Sequence, residues 1–112
     1  MTDDSRPLVV LVTTPSSEVG LALGRALVDE RLAACVNVVP GLTSIYTWEG
    51  KREEAAEALL LIKTEARRYA ALERRVLELH PYSVPEVLAL PVEAGARAYL
   101  EWLRESVAVE GR

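Results

Sequence analysis

The sequence has one cysteine, one histidine and no phenylalanine. A lone cysteine rules out an intramolecular disulfide. It also rules out a zinc site built within one chain from four cysteines or from two cysteines and two histidines. A lone histidine limits general-base chemistry. With two tryptophans and four tyrosines as the only aromatics, the core must be aliphatic. Positive charge is scarce as well. Thirteen basic residues against seventeen acidic ones leave a net charge of −4. Neither half is basic: residues 1–56 carry five basic and eight acidic groups, and residues 57–112 carry eight and nine. Nucleic acid or an anionic membrane is therefore a poor partner, because phosphate binding needs clustered positive charge. No run reaches the ~18–20 apolar residues of a membrane span. The start, Met1-Thr2-Asp3-Asp4-Ser5-Arg6-Pro7, lacks the basic and apolar stretches of a signal peptide, so the expected compartment is the cytoplasm. There is no P-loop, no dinucleotide glycine motif and no serine in a nucleophile signature. An enzyme is not expected.

What remains is half apolar and 27% charged, the composition of a folded globular chain. Its 112 residues make one domain, 1–112, with residues 1–7 as a disordered or extended tail. Leu8-Val9-Val10-Leu11-Val12-Thr13-Thr14 is short, apolar and β-branched, and predicts a strand buried on both faces. Thr14-Pro15-Ser16-Ser17-Glu18 opens a helix with hydroxyl caps and an early acid. Ala33 to Trp48 predicts a strand bent by Pro40-Gly41. Glu49-Gly50 supplies a tight turn. Lys51 to Leu59 consists of strong helix formers. The turn before it and the apolar Leu59-Leu60-Leu61-Ile62 after it favour a strand over 52–64. The resemblance given below adds to that assignment. Tyr69, Leu72, Val76 and Leu79 keep helical spacing until Pro81. Val87 to Val92 predicts a strand, and Tyr99 to Val107 a last helix. The order is β-α-β-β-α-β plus a helix, an α+β chain of ferredoxin-like type with a long central hairpin.

Two features predict an oligomer. Middle strands of about 14 residues at ~3.3 Å each span roughly 45 Å. A domain of this size has a radius of gyration near ~13 Å and a diameter of about 34 Å. The hairpin tip should therefore project, carrying Ile45, Tyr46 and Trp48, and projecting aromatics usually dock on a neighbour. The runs Leu8–Val12 and Leu59–Ile62 are apolar at every position, yet this fold covers one sheet face with helices. A second copy is the simplest cover. A monomer whose hairpin curls over its own sheet is the alternative.

Two segments carry a resemblance. Ala33-Ala34-Cys35-Val36-Asn37-Val38-Val39-Pro40-Gly41-Leu42-Thr43-Ser44-Ile45-Tyr46-Thr47-Trp48-Glu49-Gly50-Lys51 resembles the CutA family of divalent-cation-tolerance proteins. So does His80-Pro81-Tyr82-Ser83-Val84-Pro85-Glu86, with Leu90-Pro91-Val92 and Tyr99-Leu100-Glu101-Trp102 in support. The likeness covers roughly residues 8–105. It implies a ferredoxin-like subunit in a tight homotrimer, similar to the PII signalling proteins, and a role in tolerance to copper and other divalent cations. Some members carry a cysteine at the position of Val12 and a histidine at that of Leu79, both tied to copper. Here both are apolar, which leaves His80 and Cys35 as soft or borderline ligands.

Each candidate residue has a plain alternative. Cys35 follows two alanines in a strand, where a small thiol commonly just packs. Its other roles are ligand or redox group. His80 ends a helix and either caps it or ligates Cu²⁺ or Zn²⁺. Glu86 sits in a proline-stiffened loop and suits a metal, an intersubunit partner or a surface ion pair. Lys63 ends the apolar run and either snorkels to water or meets a carboxylate in a cleft, with Tyr82 as a further cleft or interface residue. The leading expectation is a non-catalytic trimer binding divalent metal weakly near a subunit interface through His80, Glu86 and Cys35, with no metal required for folding. The alternative is a PII-like sensor holding a small anionic ligand between subunits through Lys63. Any partner beyond the chain itself is left open.

Overall fold

The computed structural model describes residues 4–109. The elements run β1 (Pro7–Thr14), α1 (Ser17–Asp29), β2 (Cys35–Trp48), β3 (Lys51–Glu65), α2 (Ala66–Leu79), β4 (Val87–Pro91) and α3 (Arg97–Ser106). The sheet order is β2-β3-β1-β4, antiparallel throughout. This is the expected β-α-β-β-α-β arrangement with one added helix. Pro7 opens β1 rather than ending a tail. Before it, the backbone carbonyls of Asp4 and Arg6 accept from Arg67 and Ala66 at the start of α2. Residues 1–3 of the expected tail lie outside the described residues.

Local chemistry sets the element ends. Ser16 caps α1 by accepting from the Val19 amide at 3.2 Å, and Glu18 favours the positive end of the helix dipole. Glu49 and Gly50 both adopt left-handed backbone, φ 50° and 79°, so Trp48 pairs with Lys51 across a two-residue turn. At Pro40-Gly41 the register jumps from Val39 opposite Leu59 to Leu42 opposite Glu57. One extra residue on β2 makes a bulge, and Gly41 with φ 78° takes the backbone that L side chains avoid.

Residues 51–59 are strand despite their helix-forming composition. Arg52, Glu53 and Glu54 pair with Thr47, Tyr46 and Ile45 of β2. Cross-strand pairing fixed by the turn outweighs an intrinsic preference worth a few tenths of a kcal/mol per residue. The hairpin overshoots the body as expected, and the molecule measures 47 × 27 × 24 Å.

The core lies under α1 and α2. Val10 and Val12 of β1 and Leu60 and Ile62 of β3 are fully buried with Leu23, Leu27, Leu72 and Val76. Their odd-numbered neighbours Val9, Leu11, Leu59 and Leu61 point the other way and are only half-buried. On that second face α3 covers one end, where Leu103 and Val107 pack with Ala34. Val39, Leu88 and Leu90 stay exposed there. Within one chain, then, only one face of the sheet is fully covered.

Candidate functional site

The site begins where α2 ends. His80 is the C-cap, its amide donating to the Val76 carbonyl at 2.8 Å, and Pro81 prevents another turn. His80 as a whole is only 7% exposed. Tyr82 donates its backbone N–H to Nδ1 at 3.1 Å, so that nitrogen carries no proton. Nε2 lies 2.7 Å from the Thr13 carbonyl and must be the protonated nitrogen that donates to it. The ring is thus a neutral imidazole with both nitrogens engaged, and it also meets the Tyr82 ring at a tilt, with centroids 4.8 Å apart. Its chemistry here is to hold the 80–86 loop on the end of β1.

The loop sets Tyr82, itself 37% exposed, against β3. Its hydroxyl donates to Glu57 Oε2 at 2.7 Å. Burial, then the neighbouring carboxylate, pushes the phenol pKa up to about 12. The phenol is therefore a proton donor across the physiological range. Glu57 is 8% exposed. Both residues line a cleft of about 520 Å³ with Thr13, Ser44, Ile45, Tyr46, Trp48, Ser83, Val84 and Glu86. No lysine, arginine or histidine lines it. Among the described residues, no ion pair engages Glu57 or Glu86. The cleft is acidic, aromatic and without a counter-charge of its own.

The expected metal set is not assembled. Glu86 reaches the cleft, and His80 sits behind it with no free lone pair. Cys35 lies elsewhere. It pairs with Lys63, which pairs with Val9, four residues along β1 from Thr13. At ~3.3 Å per residue that is an offset of about 13 Å along the strands from the His80 contact, and β2 lies two strand spacings of ~4.8 Å across from β1. Among the described residues, no three His, Cys, Asp or Glu side chains gather as a metal site. Lys63 and Tyr82 likewise do not share a cleft within one chain. Lys63 donates to Asn37 Oδ1 and lies 3.9 Å from the Cys35 sulfur. Val12 is core, and Leu79 is an exposed residue on α2.

Ile45 and Tyr46, expected as interface residues, and Trp48, expected there or in a cofactor cage, also line this cleft. Glu57 was missed because it sits among the acidic helix formers of residues 53–57. A period-of-two reading would have found it. Glu57 is two residues before Leu59 and four before Leu61, so it shares their face of β3.

Fold and site together define a small α+β protein with a four-stranded antiparallel sheet, three helices and an acidic cleft at the root of a long hairpin. Residues 8–106 match the profile of the CutA1 divalent ion tolerance proteins, and the chain belongs to that family. It is 58% identical over 98 residues to the divalent-cation tolerance protein CutA of Thermus thermophilus, covering 88% of this chain and 95% of that one. It is 51% identical over 94 residues to Protein CutA of Homo sapiens, covering 84% and 52%. The chain thus spans about half the length of the human relative and of the chloroplastic rice and Arabidopsis thaliana proteins. Among solved structures, the Thermus thermophilus protein superposes with a TM-score of 0.89 at 56% identity, covering 91% and 99% of the two chains. The periplasmic divalent cation tolerance protein CutA of Archaeoglobus fulgidus gives 0.89 at 34% identity, again covering 91% and 99%. Among the described residues, no helix is long and apolar enough to cross a membrane.

Proposed function

We propose that the chain works as a non-catalytic, cytoplasmic homotrimer in divalent-cation tolerance. Its cation-facing surface is the cleft of Glu57 and Glu86, not a centre of His80, Glu86 and Cys35. The observation that carries this reading is a buried carboxylate, Glu57, beside a second carboxylate in a cleft with no basic side chain. Copper or zinc would meet only carboxylate and hydroxyl oxygens there. Those are hard donors, which suits weak and unselective binding.

The homotrimer is supported by the overshooting hairpin, by the exposed Val39, Leu88 and Leu90 on the half-covered sheet face, and by the two free sheet edges, β2 and β4. A closed ring of copies would cover all three. Light scattering should give three times 12.3 kDa. Cu²⁺ and Zn²⁺ titration should find weak binding that Glu57→Gln with Glu86→Gln abolishes and His80→Ala leaves in place. A concentration-independent monomer, or metal binding lost on His80→Ala alone in a folded protein, would overturn the respective half of the reading.

A PII-like sensor of small anions is the second reading, favoured only by the cleft's small-molecule size. It requires a neighbouring copy to bring positive charge to the cleft, since Lys63 of the same chain is engaged with Asn37 at the far end of the sheet.

A further inference from the structure

We propose that the cleft is a binding site for an organic cation, an ammonium group carried on a small apolar body. This rests on the reading of the cleft as the cation-facing surface and names the kind of cation. Glu57 is 8% exposed and faces a cleft with no basic side chain, so an entering cation finds a carboxylate partner there with no competing counter-charge. Its hydrogen-bond partner, Tyr82, is a neutral phenol. A neutral donor holds the carboxylate in place but leaves its charge standing. Glu86 adds a second negative group to the same cleft.

The walls choose among cations. A divalent metal needs several oxygen, nitrogen or sulfur donors at bonding distance. Here there are two carboxylates, one of them already bonded to Tyr82, and the only nearby imidazole has no lone pair to give. What the cleft offers instead is rings. Tyr46, Trp48 and Tyr82 line it, and the face of an indole or phenol attracts an ammonium within about 6 Å, most strongly where water is excluded. Ile45 and Val84 supply apolar surface for the rest of the ligand. The volume of about 520 Å³ falls in the usual range for small-molecule sites, ~300–1,000 Å³. His80 fixes the loop that brings Tyr82, so the site is formed before any ligand arrives.

The test uses the full chain in its native assembly, with Trp102→Phe so that Trp48 is the only tryptophan. Three probes are titrated by calorimetry and Trp48 fluorescence: choline, its uncharged carbon isostere 3,3-dimethylbutan-1-ol, and Zn²⁺ alone. Oligomer mass and circular dichroism are followed in the same samples. Choline should saturate the Trp48 signal and bind at least about tenfold more tightly than the isostere. Glu57→Gln, which keeps its shape and can still accept from Tyr82, should weaken choline about tenfold, equivalent to about 1.4 kcal/mol. Glu86→Gln should do so independently. Equal binding of choline and the isostere, or unchanged choline binding by both folded variants, would each overturn the proposal, as would Zn²⁺ binding more tightly than choline. So would a cleft already filled by an ammonium of a second copy, seen as no choline binding together with an oligomer that Glu57→Gln makes sensitive to dilution. A failure with choline beside an intact trimer and carboxylate-dependent metal binding leaves the earlier reading standing. Loss of the trimer with choline binding retained does the reverse.

Discussion

The hydroxyl of Tyr82 donates to Glu57 across 2.7 Å, joining the loop after α2 to the middle of β3. Each residue explains the other's state. The carboxylate and burial keep the phenol protonated, and the phenol gives a buried carboxylate its hydrogen bond. Tyr82→Phe removes the donor and leaves Glu57 buried without one. The expected cost is about 1–3 kcal/mol of stability. Adding Glu57→Gln to Tyr82→Phe should recover part of it, because an uncharged amide is cheaper to bury. Urea unfolding with an unchanged m-value checks both, and a double variant no more stable than the single one would argue that the pair is not coupled.

The same pair sets an alkaline limit. Tyr82 and Tyr69 both have phenol pKa values pushed up to about 12 from an ordinary 10.0. Burial is the first cause for each, followed by hydrogen bonds to Glu57 and Glu73. Between these values the unfolded chain loses the proton and the folded chain keeps it. The native state then binds more protons, so stability falls as pH rises. Stability from these groups should be fully present below pH 10 and lost as pH climbs towards 12. Tyr82→Phe and Tyr69→Phe together should flatten that decline. Tyrosinate absorbance followed alongside circular dichroism tests the order of events, and ionisation of all four tyrosines near pH 10 in a folded protein would contradict it.

His80 is the brace of the site, and its removal should show as structure rather than as metal chemistry. His80→Ala deletes the contacts to the Thr13 carbonyl and the Tyr82 amide at once. Two part-buried hydrogen bonds are then lost, at about 1–3 kcal/mol together. His80→Asn, which offers one donor and one acceptor, should restore part of this. Thermal unfolding gives the stabilities, and hydrogen exchange at Tyr82 reports the loop. An alanine variant as stable as wild type would mean that the loop is held by its prolines alone.

How much of this was readable beforehand follows from how local each cause is. The order of elements along the chain, the bulge at Pro40-Gly41 and the turn at Glu49-Gly50 come from short-range chemistry, and the structure keeps them all. Residues 51–59 needed the hairpin as context, since helix propensity alone points the wrong way. Within one chain the ligand grouping is not assembled, for a geometric reason. Cys35 and His80 were grouped by chemical type, but β-sheet register sets Cys35 beside Lys63 and a helix end sets His80 beside Thr13. Nothing in residue type announces which nitrogens of a histidine are already spent. Glu57 was hidden by its neighbours' composition. Only the alternation of β3 puts it on the face that Tyr82 reaches.

The hairpin tip gives the last prediction. Trp48 pairs with Lys51 at the turn and remains 47% exposed, with part of its ring lining the cleft. Ile45 and Tyr46 beside it are also exposed. Three large apolar side chains on a strand that outruns its domain bury little against their own chain. Docking on a second copy would desolvate them, and burying one aromatic ring at an interface is worth on the order of 2–3 kcal/mol. In a closed ring every copy contributes the same contact, so one substitution acts at each interface. Trp48→Ala should therefore loosen assembly more than it disturbs the subunit, whose core under α1 and α2 contains no part of the tip. Oligomer mass on dilution and far-ultraviolet circular dichroism, measured together, separate the two effects. Dissociation at higher concentration than wild type with an unchanged spectrum is the expected result. A variant that keeps both its assembly on dilution and its full thermal stability would show the tip to be free of its own kind, and the hairpin would be better understood as an arm for another protein.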